Sequence, residues 1–351
     1  MSNYHLEKRV SIAGAKSLSE KKTKRIPKST AVNRGAPFWK SMLAVTMLFV
    51  LIAVPRTVVA GEGGTAHILP GANATLLDLL PTKSGGFFKP MYLNYSGSIS
   101  AQIPTAAGLS GNVDATVNTF VLGAGYTFEQ PVLGSAHYTV AAFLPYSWLD
   151  ISANVQTPFG TVRRQSNVSA FGDLTILPVM LAWKTGDWQI DALIPIYAPT
   201  GSYHKGRLGN PGLNYWTFDP LIGVAYSNQK KGFNAMLHAG YAINTENPDT
   251  DYRSGSLLHF DAAIQQLLPL GSGFLMLGAE GFYFEQVTGD SGDGAKLGDF
   301  KGRTAGLGPV LGYILPLGKQ SLAIELKWIP ELDTKKRLEG DYIWLKMVYK
   351  L

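Results

Sequence analysis

The last residues of the chain, "YIWLKMVYKL", alternate without a break. Ile343, Leu345, Met347, Tyr349 and Leu351 share one parity, and Trp344, Lys346, Val348 and Lys350 share the other. A period of two is a β-strand with one apolar face and one wetter face. The pattern recurs upstream. "FNAMLHAGYAI" sets Phe233, Ala235, Leu237, Ala239, Tyr241 and Ile243 against Asn234, Met236, His238 and Gly240. "SLAIELKWIPE" sets Leu322, Ile324, Leu326 and Trp328 against Ala323, Glu325, Lys327, Ile329 and Glu331. "WQIDALIPI" sets Trp188, Ile190, Ala192, Ile194 and Ile196 against Gln189, Asp191, Leu193 and Pro195. Less regular runs begin near Phe87, Val113, Ala136, Asn167, Tyr215, Leu257, Gly273 and Arg303, for a total of about twelve strands, an even number as bacterial barrels require.

The connections sort by length. "KTGD" (184–187), "SNQKKG" (227–232), "PLGSG" (269–273) and "PLGK" (316–319) are tight. Between them lie "PTGSYHKGRLGNPGLN", "NTENPDTDYRSG", "TGDSGDGAKLGDFKG" and "ELDTKKRLEG", all longer and polar. A soluble sandwich has no reason to alternate short and long connections. An outer-membrane β-barrel does, because its periplasmic turns are short and its outside loops long. The apolar rows would then face acyl chains and the opposite rows a lumen, with the last strand closing on the first so that no edge lies in lipid. Tyr138, Trp148, Trp188, Tyr197, Trp216, Tyr226, Trp328 and Tyr349 stand toward strand ends, where interfacial girdles belong. Pro145, Pro178, Pro195, Pro220 and Pro309 count against the reading, since each removes a ladder donor. The expected fold is all-β, a transmembrane antiparallel barrel of about twelve strands over 87–351.

Residues 1–60 read as a signal peptide with a long basic n-region. They hold 11 Lys/Arg and 2 Asp/Glu, ahead of and around the apolar run Ser41–Val54, and small residues precede a cut expected at Gly61. The run is too short to span a bilayer as a helix. The rest of the chain holds 20 basic and 23 acidic residues, so the overall charge of +6 belongs to the leader and nucleic acid is not an expected partner. With no cysteine there is neither a disulfide framework nor a thiolate nucleophile or metal site. Residues 61–86 do not alternate. Their leucines, Leu76, Leu77, Leu79 and Leu80, suit a free tail poorly, and the segment is expected to dock in the lumen from the periplasmic end as a plug.

Several motifs in order resemble one bacterial outer-membrane family. They are "HILPG", "GGFFKPMYLNYSGS", "FGDLTILPVMLAWK", "PIYAPTGSY", "NPGLNYWTFDPLIGVAYSN" and "NTENPDTDYRSGSLLHFD". The family is the one named for the meta pathway of phenol degradation, with its SphA-like transporters. The likeness runs from about His67 to Leu351. It implies passage of aromatic or other apolar small molecules across the outer membrane.

Parity places Asp173, Asp191, Asp219, His238, His259, Asp261, Glu280, Glu325 and Lys327 inward, with Phe282 and Phe284 as apolar wall. Such groups serve either as a satisfied polar core or as the lining of a substrate path. "GDSGDG" (289–294) reads as a flexible Asp/Gly turn, and no Walker or dinucleotide pattern is present. No cofactor, metal site or catalytic residue is expected. A lipase-like barrel enzyme would need a serine beside His238 or His259, and a structural or partner-binding barrel would need longer outside loops. Outer-membrane lipid, the barrel assembly machinery and an apolar small molecule are the expected partners.

Overall fold

A computed structural model describes residues 65–102, 110–157, 160–295 and 301–351. The signal-peptide expectation, and the beginning of the 61–86 segment, lie outside these residues. The described chain is a closed antiparallel barrel of twelve strands with no helix. The strands are β1 (Gly85–Gln102), β2 (Ser110–Thr127), β3 (His137–Thr157), β4 (Gly160–Phe171 with Leu174–Thr185), β5 (Trp188–Leu193 with Ile196–Ala198) and β6 (Thr217–Phe218 with Leu221–Asn228). They continue as β7 (Phe233–Asn244), β8 (Leu257–Leu270), β9 (Gly273–Gln286), β10 (Arg303–Leu317), β11 (Gln320–Lys335) and β12 (Glu339–Lys350). Closure is direct: β1 pairs antiparallel with β12, with Phe87 opposite Lys350, Tyr92 opposite Leu345 and Ser98 opposite Glu339. The terminal Leu351 N–H adds a bond to the Gly86 carbonyl at 2.9 Å. This covers the unpaired edge that a lone terminal strand would present to lipid.

The alternation sorts side chains as the barrel requires. Ile324, Leu326 and Trp328 are exposed on β11, while Glu325, Lys327 and Ile329 between them are buried. On β7, Leu237, Tyr241 and Ile243 are exposed and Met236, His238 and Ala242 are buried. The outward apolar row would be unfavourable in water and is at home in hydrocarbon. At its lower rim Trp188 packs on Tyr226, with ring centroids 5.0 Å apart. Tyr197 is not in that girdle. Its parity turns it inward, where it stacks on His67 at 5.0 Å.

Three neighbouring strands absorb the proline objection by breaking. β4 is interrupted at Gly172–Asp173, β5 at Ile194–Pro195 and β6 at Asp219–Pro220. Other bonds cross these breaks: the Gly172 N–H donates to the Pro145 carbonyl at 2.9 Å and the Asp219 N–H to the Pro195 carbonyl at 3.0 Å. Pro145, Pro178 and Pro309 stay within strands. The β4 strand begins at Gly160 rather than near Asn167. Connections depart from the length rule in several places, the two-residue link between β3 and β4 on the loop side among them. The polar stretch 331–340 is mostly strand, leaving residues 336–338 as the turn, while the turn side of the barrel carries a longer link over 128–136.

Candidate functional site: the barrel interior

The stretch 65–84 before β1 forms no strand and runs through the barrel, touching inward rows on both sides of it. It turns at 69–72, where the Ala72 N–H donates to the Leu69 carbonyl at 3.3 Å, and again at 75–78, where the Asp78 N–H donates to the Thr75 carbonyl at 2.8 Å. Three layers of contacts hold the stretch.

In the layer nearest the loops, His67 lies between two polar walls. Its Nε2 is 2.9 Å from Asp173 Oδ2 and its Nδ1 is 2.7 Å from Thr217 Oγ1. Asp173 is kept at the break in β4 by the Gly201 N–H at 2.8 Å and the Leu213 N–H at 2.6 Å, both from the loop between β5 and β6. Ile68 packs beside Phe282, Phe284, Ile329, Tyr342 and Trp344.

The middle layer is built on histidines. His259 Nε2 meets Asp219 Oδ1 at 2.9 Å, and Asp261 Oδ1 accepts the Gly71 N–H at 3.0 Å. His238 Nδ1 hydrogen-bonds the Asn73 carbonyl. Both rings lie flat across the neighbouring strand, and glycine permits it. A Cβ on Gly223 would fall 2.2 Å from His238 Cδ2, and one on Gly240 would fall 2.2 Å from His259 Nε2. Asp191, also buried, accepts from Gln189 Nε2 at 2.8 Å, and the same amide reaches the Leu80 carbonyl at 3.1 Å.

The layer nearest the tight turns is ionic. Lys327 bonds Glu280 Oε2 at 2.5 Å and lies 3.6 Å from Glu325. Asp78 takes Lys89 at 2.6 Å and Lys346 at 3.0 Å. Burial alone would raise the Asp78 carboxyl, but Lys346, Lys89 and Lys327 outweigh it and hold it well below the ordinary carboxylate range. The Thr75 hydroxyl lies 2.8 Å from Asp78 Oδ2 and 3.0 Å from Glu325 Oε1, with one proton to give. Leu77 packs on Met276, Val310 and Val348, and Leu80 packs with Phe87, Ala141, Leu177, Met180 and Ala182. Leu76 and Leu79 are half-buried.

Every residue that parity assigns inward is buried, Asp173, Asp191, Asp219, His238, His259, Asp261, Glu280, Phe282, Phe284, Glu325 and Lys327 alike. They do not converge on one centre, since the three layers spread them along the inserted stretch. Sequence reasoning missed His67, Asp78, Lys89, Lys346 and also Gln265, whose Oε1 accepts the Leu76 N–H at 2.7 Å, as parts of the site. The inward parity of Lys346 was legible, but nothing periodic marks His67 or Asp78. A cavity of about 20 Å³ remains beside the stretch, lined by Ala66, Ile68, Tyr215, Ala242, Leu257 and Arg337 among others, room for about one water. Among the described residues no group of three or more His, Asp or Glu side chains is arranged to hold a metal ion.

The family described as "Putative MetA-pathway of phenol degradation" matches residues 96–347. The chain belongs to this family. Among solved structures, the COG4313 outer membrane channel from Pseudomonas putida F1 is similar over 81% of this chain and 100% of its own. Sequence identity there is 16% and the TM-score is 0.54, so this phenol-degradation family member shares that channel's fold. The β domain of the Bordetella autotransporter BrkA is similar over 77% of this chain and 100% of its own, at 12% identity and a TM-score of 0.41. No curated protein sequence matches the family member.

Proposed function

We propose that the protein is an outer-membrane channel for apolar or aromatic small molecules, and that the stretch 65–84 plugs its lumen at rest. The observation that carries the reading is the barrel's two-sided wall, apolar outward and polar inward, with a chain segment seated against the inner side. A structural barrel has no need of an insert that breaks into hydrogen bonds rather than a continuous apolar core. Against a barrel enzyme, neither His238 nor His259 hydrogen-bonds a serine among the described residues; their partners are Asn73 and Asp219. Family membership and the shared fold support transport, and the named degradation pathway supports aromatic solutes. The test is uptake by proteoliposomes of matched aromatic and aliphatic solutes, alongside ester hydrolysis by the purified barrel. Faster entry of the aromatic set than into protein-free vesicles is expected. Hydrolysis without uptake would replace the channel by an enzyme.

A further inference from the structure

Lys89 and Lys346 stand on adjacent strands, β1 and β12, which pair across the closure of the barrel. Lys346 is fully buried and the Lys89 side chain is 11% exposed. Lys327 nearby has barrel carboxylates of its own, Glu280 and Glu325. Among the described residues, Lys89 and Lys346 form ion pairs with Asp78 alone, and Asp78 belongs to the inserted stretch. Glu325 stands opposite Lys346 in the β11–β12 ladder but is engaged by Lys327 at 3.6 Å, so the carboxylate in contact with both ammonium groups comes from the stretch and not from the wall. Withdrawing the stretch would leave both ammonium groups without a contacting carboxylate, free to take a charge-assisted bond from another anion.

The company that Asp78 keeps is equally specific. It sits in "LLDLL", a carboxylate between leucines. Leu77 fills an apolar recess of Met276, Val310 and Val348, and Leu80 fills another beside Phe87, Leu177 and Met180. Chemically, the stretch presents the end of an apolar carboxylic acid to a site with two cations and greasy walls.

We propose that Lys89 and Lys346 form a binding site for the carboxylate of a small apolar acid, and that Asp78 occupies it as a built-in stand-in. The proposal rests on the channel reading and narrows its substrate class from apolar molecules to apolar anions. An incoming acid would supply the counter-charge that the leaving stretch removes, so occupancy favours the withdrawn state by differential binding. The Lys346 ammonium has a further acceptor in the Ala72 carbonyl at 2.7 Å, and this bond too would be exchanged for the ligand.

The test uses phenylacetate and its neutral isostere phenylacetamide, titrated calorimetrically into the detergent-solubilised mature chain. Asp78→Asn removes the stand-in charge, and a second variant lacking residues 66–82 vacates the same lysines by another route. In either, phenylacetate should bind roughly tenfold or more tightly than phenylacetamide, the discrimination expected of charge-assisted bonds. Wild type should bind phenylacetate more weakly than the variants, because Asp78 competes. Adding Lys346→Gln and Lys89→Gln to the shortened chain should abolish the preference. Equal binding of acid and amide in both emptied variants would overturn the proposal. Uptake of both solutes at equal rates alongside that result would leave the channel reading standing. Conversely, acid-selective binding with no solute uptake by any variant would keep the site and remove the channel.

Discussion

Trp344 Nε1 donates to the Pro70 carbonyl at 3.1 Å, and Lys346 Nζ donates to the Ala72 carbonyl at 2.7 Å. Both bonds join residues 274 positions apart, and both steps are of two residues. The inward row of the last strand thus engages alternate carbonyls of the inserted stretch. A strand projects one side chain per two residues on each face, and the two carbonyls met here flank Gly71 in a turn closed by the Ala72 N–H on the Leu69 carbonyl at 3.3 Å. Trp344→Phe keeps the ring in its apolar cluster but removes the donor and leaves the Pro70 carbonyl unpaired. The expected cost is roughly 1–3 kcal/mol. In planar bilayers the variant should show more frequent current steps than wild type, with unchanged heat-modifiable migration on gels. A silent Trp344→Phe channel would mean that this bond does not retain the stretch.

Removing the stretch should separate the barrel from its occupant. The wall's own ladder, closed from β1 to β12, does not include residues 66–82. Deleting them should raise ion conductance while the barrel still migrates faster unheated than boiled. If conductance does not change, the stretch is only a tail and the plugged-channel mechanism has to be dropped.

The two faces of β11 should answer oppositely to charge. Leu326 is 48% exposed on the outward row, opposite Leu311 and Leu345. Leu326→Arg places a cation in hydrocarbon, at a cost of roughly 2–4 kcal/mol near the midplane. Lys327→Leu, one residue on, instead strands the buried Glu280 and Glu325, and breaking such a pair typically costs roughly 3–5 kcal/mol. Adding Glu280→Gln should recover much of the Lys327→Leu loss and none of the Leu326→Arg loss. Urea unfolding of the refolded barrels in lipid vesicles measures both. Rescue of Leu326→Arg by the same second change would put Leu326 inside.

Acid should not release the stretch until well below neutrality. Asp78 is depressed in the folded protein by Lys346, Lys89 and Lys327, against the upward pull of burial. A depressed carboxyl contributes its stability in full above the unfolded value, about 3.9, and loses it as pH falls through the folded value. The Asp78 contribution to wild-type closure should therefore stay flat from about pH 7 to about pH 5, a window above both values. Asp78→Asn should be leaky throughout that window. A rise in wild-type conductance near pH 6 would transfer control to a titrating group other than Asp78.

The wall of this protein was legible because it is a two-state code repeated along the chain. Each residue of "FNAMLHAGYAI" and "SLAIELKWIPE" goes to lipid or to the interior according to parity, and only period two suits a strand between two such media. Strand number and closure follow from the same count and from the requirement that no edge remain in hydrocarbon. The lengths of the last outside loop and of the 128–136 link were misread or unseen, because polar residues in a strand beyond the membrane look like loop. What the interior row does was beyond the sequence. Parity places Lys346 inward but cannot say that its counter-charge lies 268 residues earlier, on Asp78. The stretch 65–84 has no periodicity from which its neighbours could be read, and its bonds to β1, β4, β6, β8, β11 and β12 exist only once the sheet has curled shut around it. Local alternation determines which way each side chain points. Closure of the barrel alone decides which of those side chains meet.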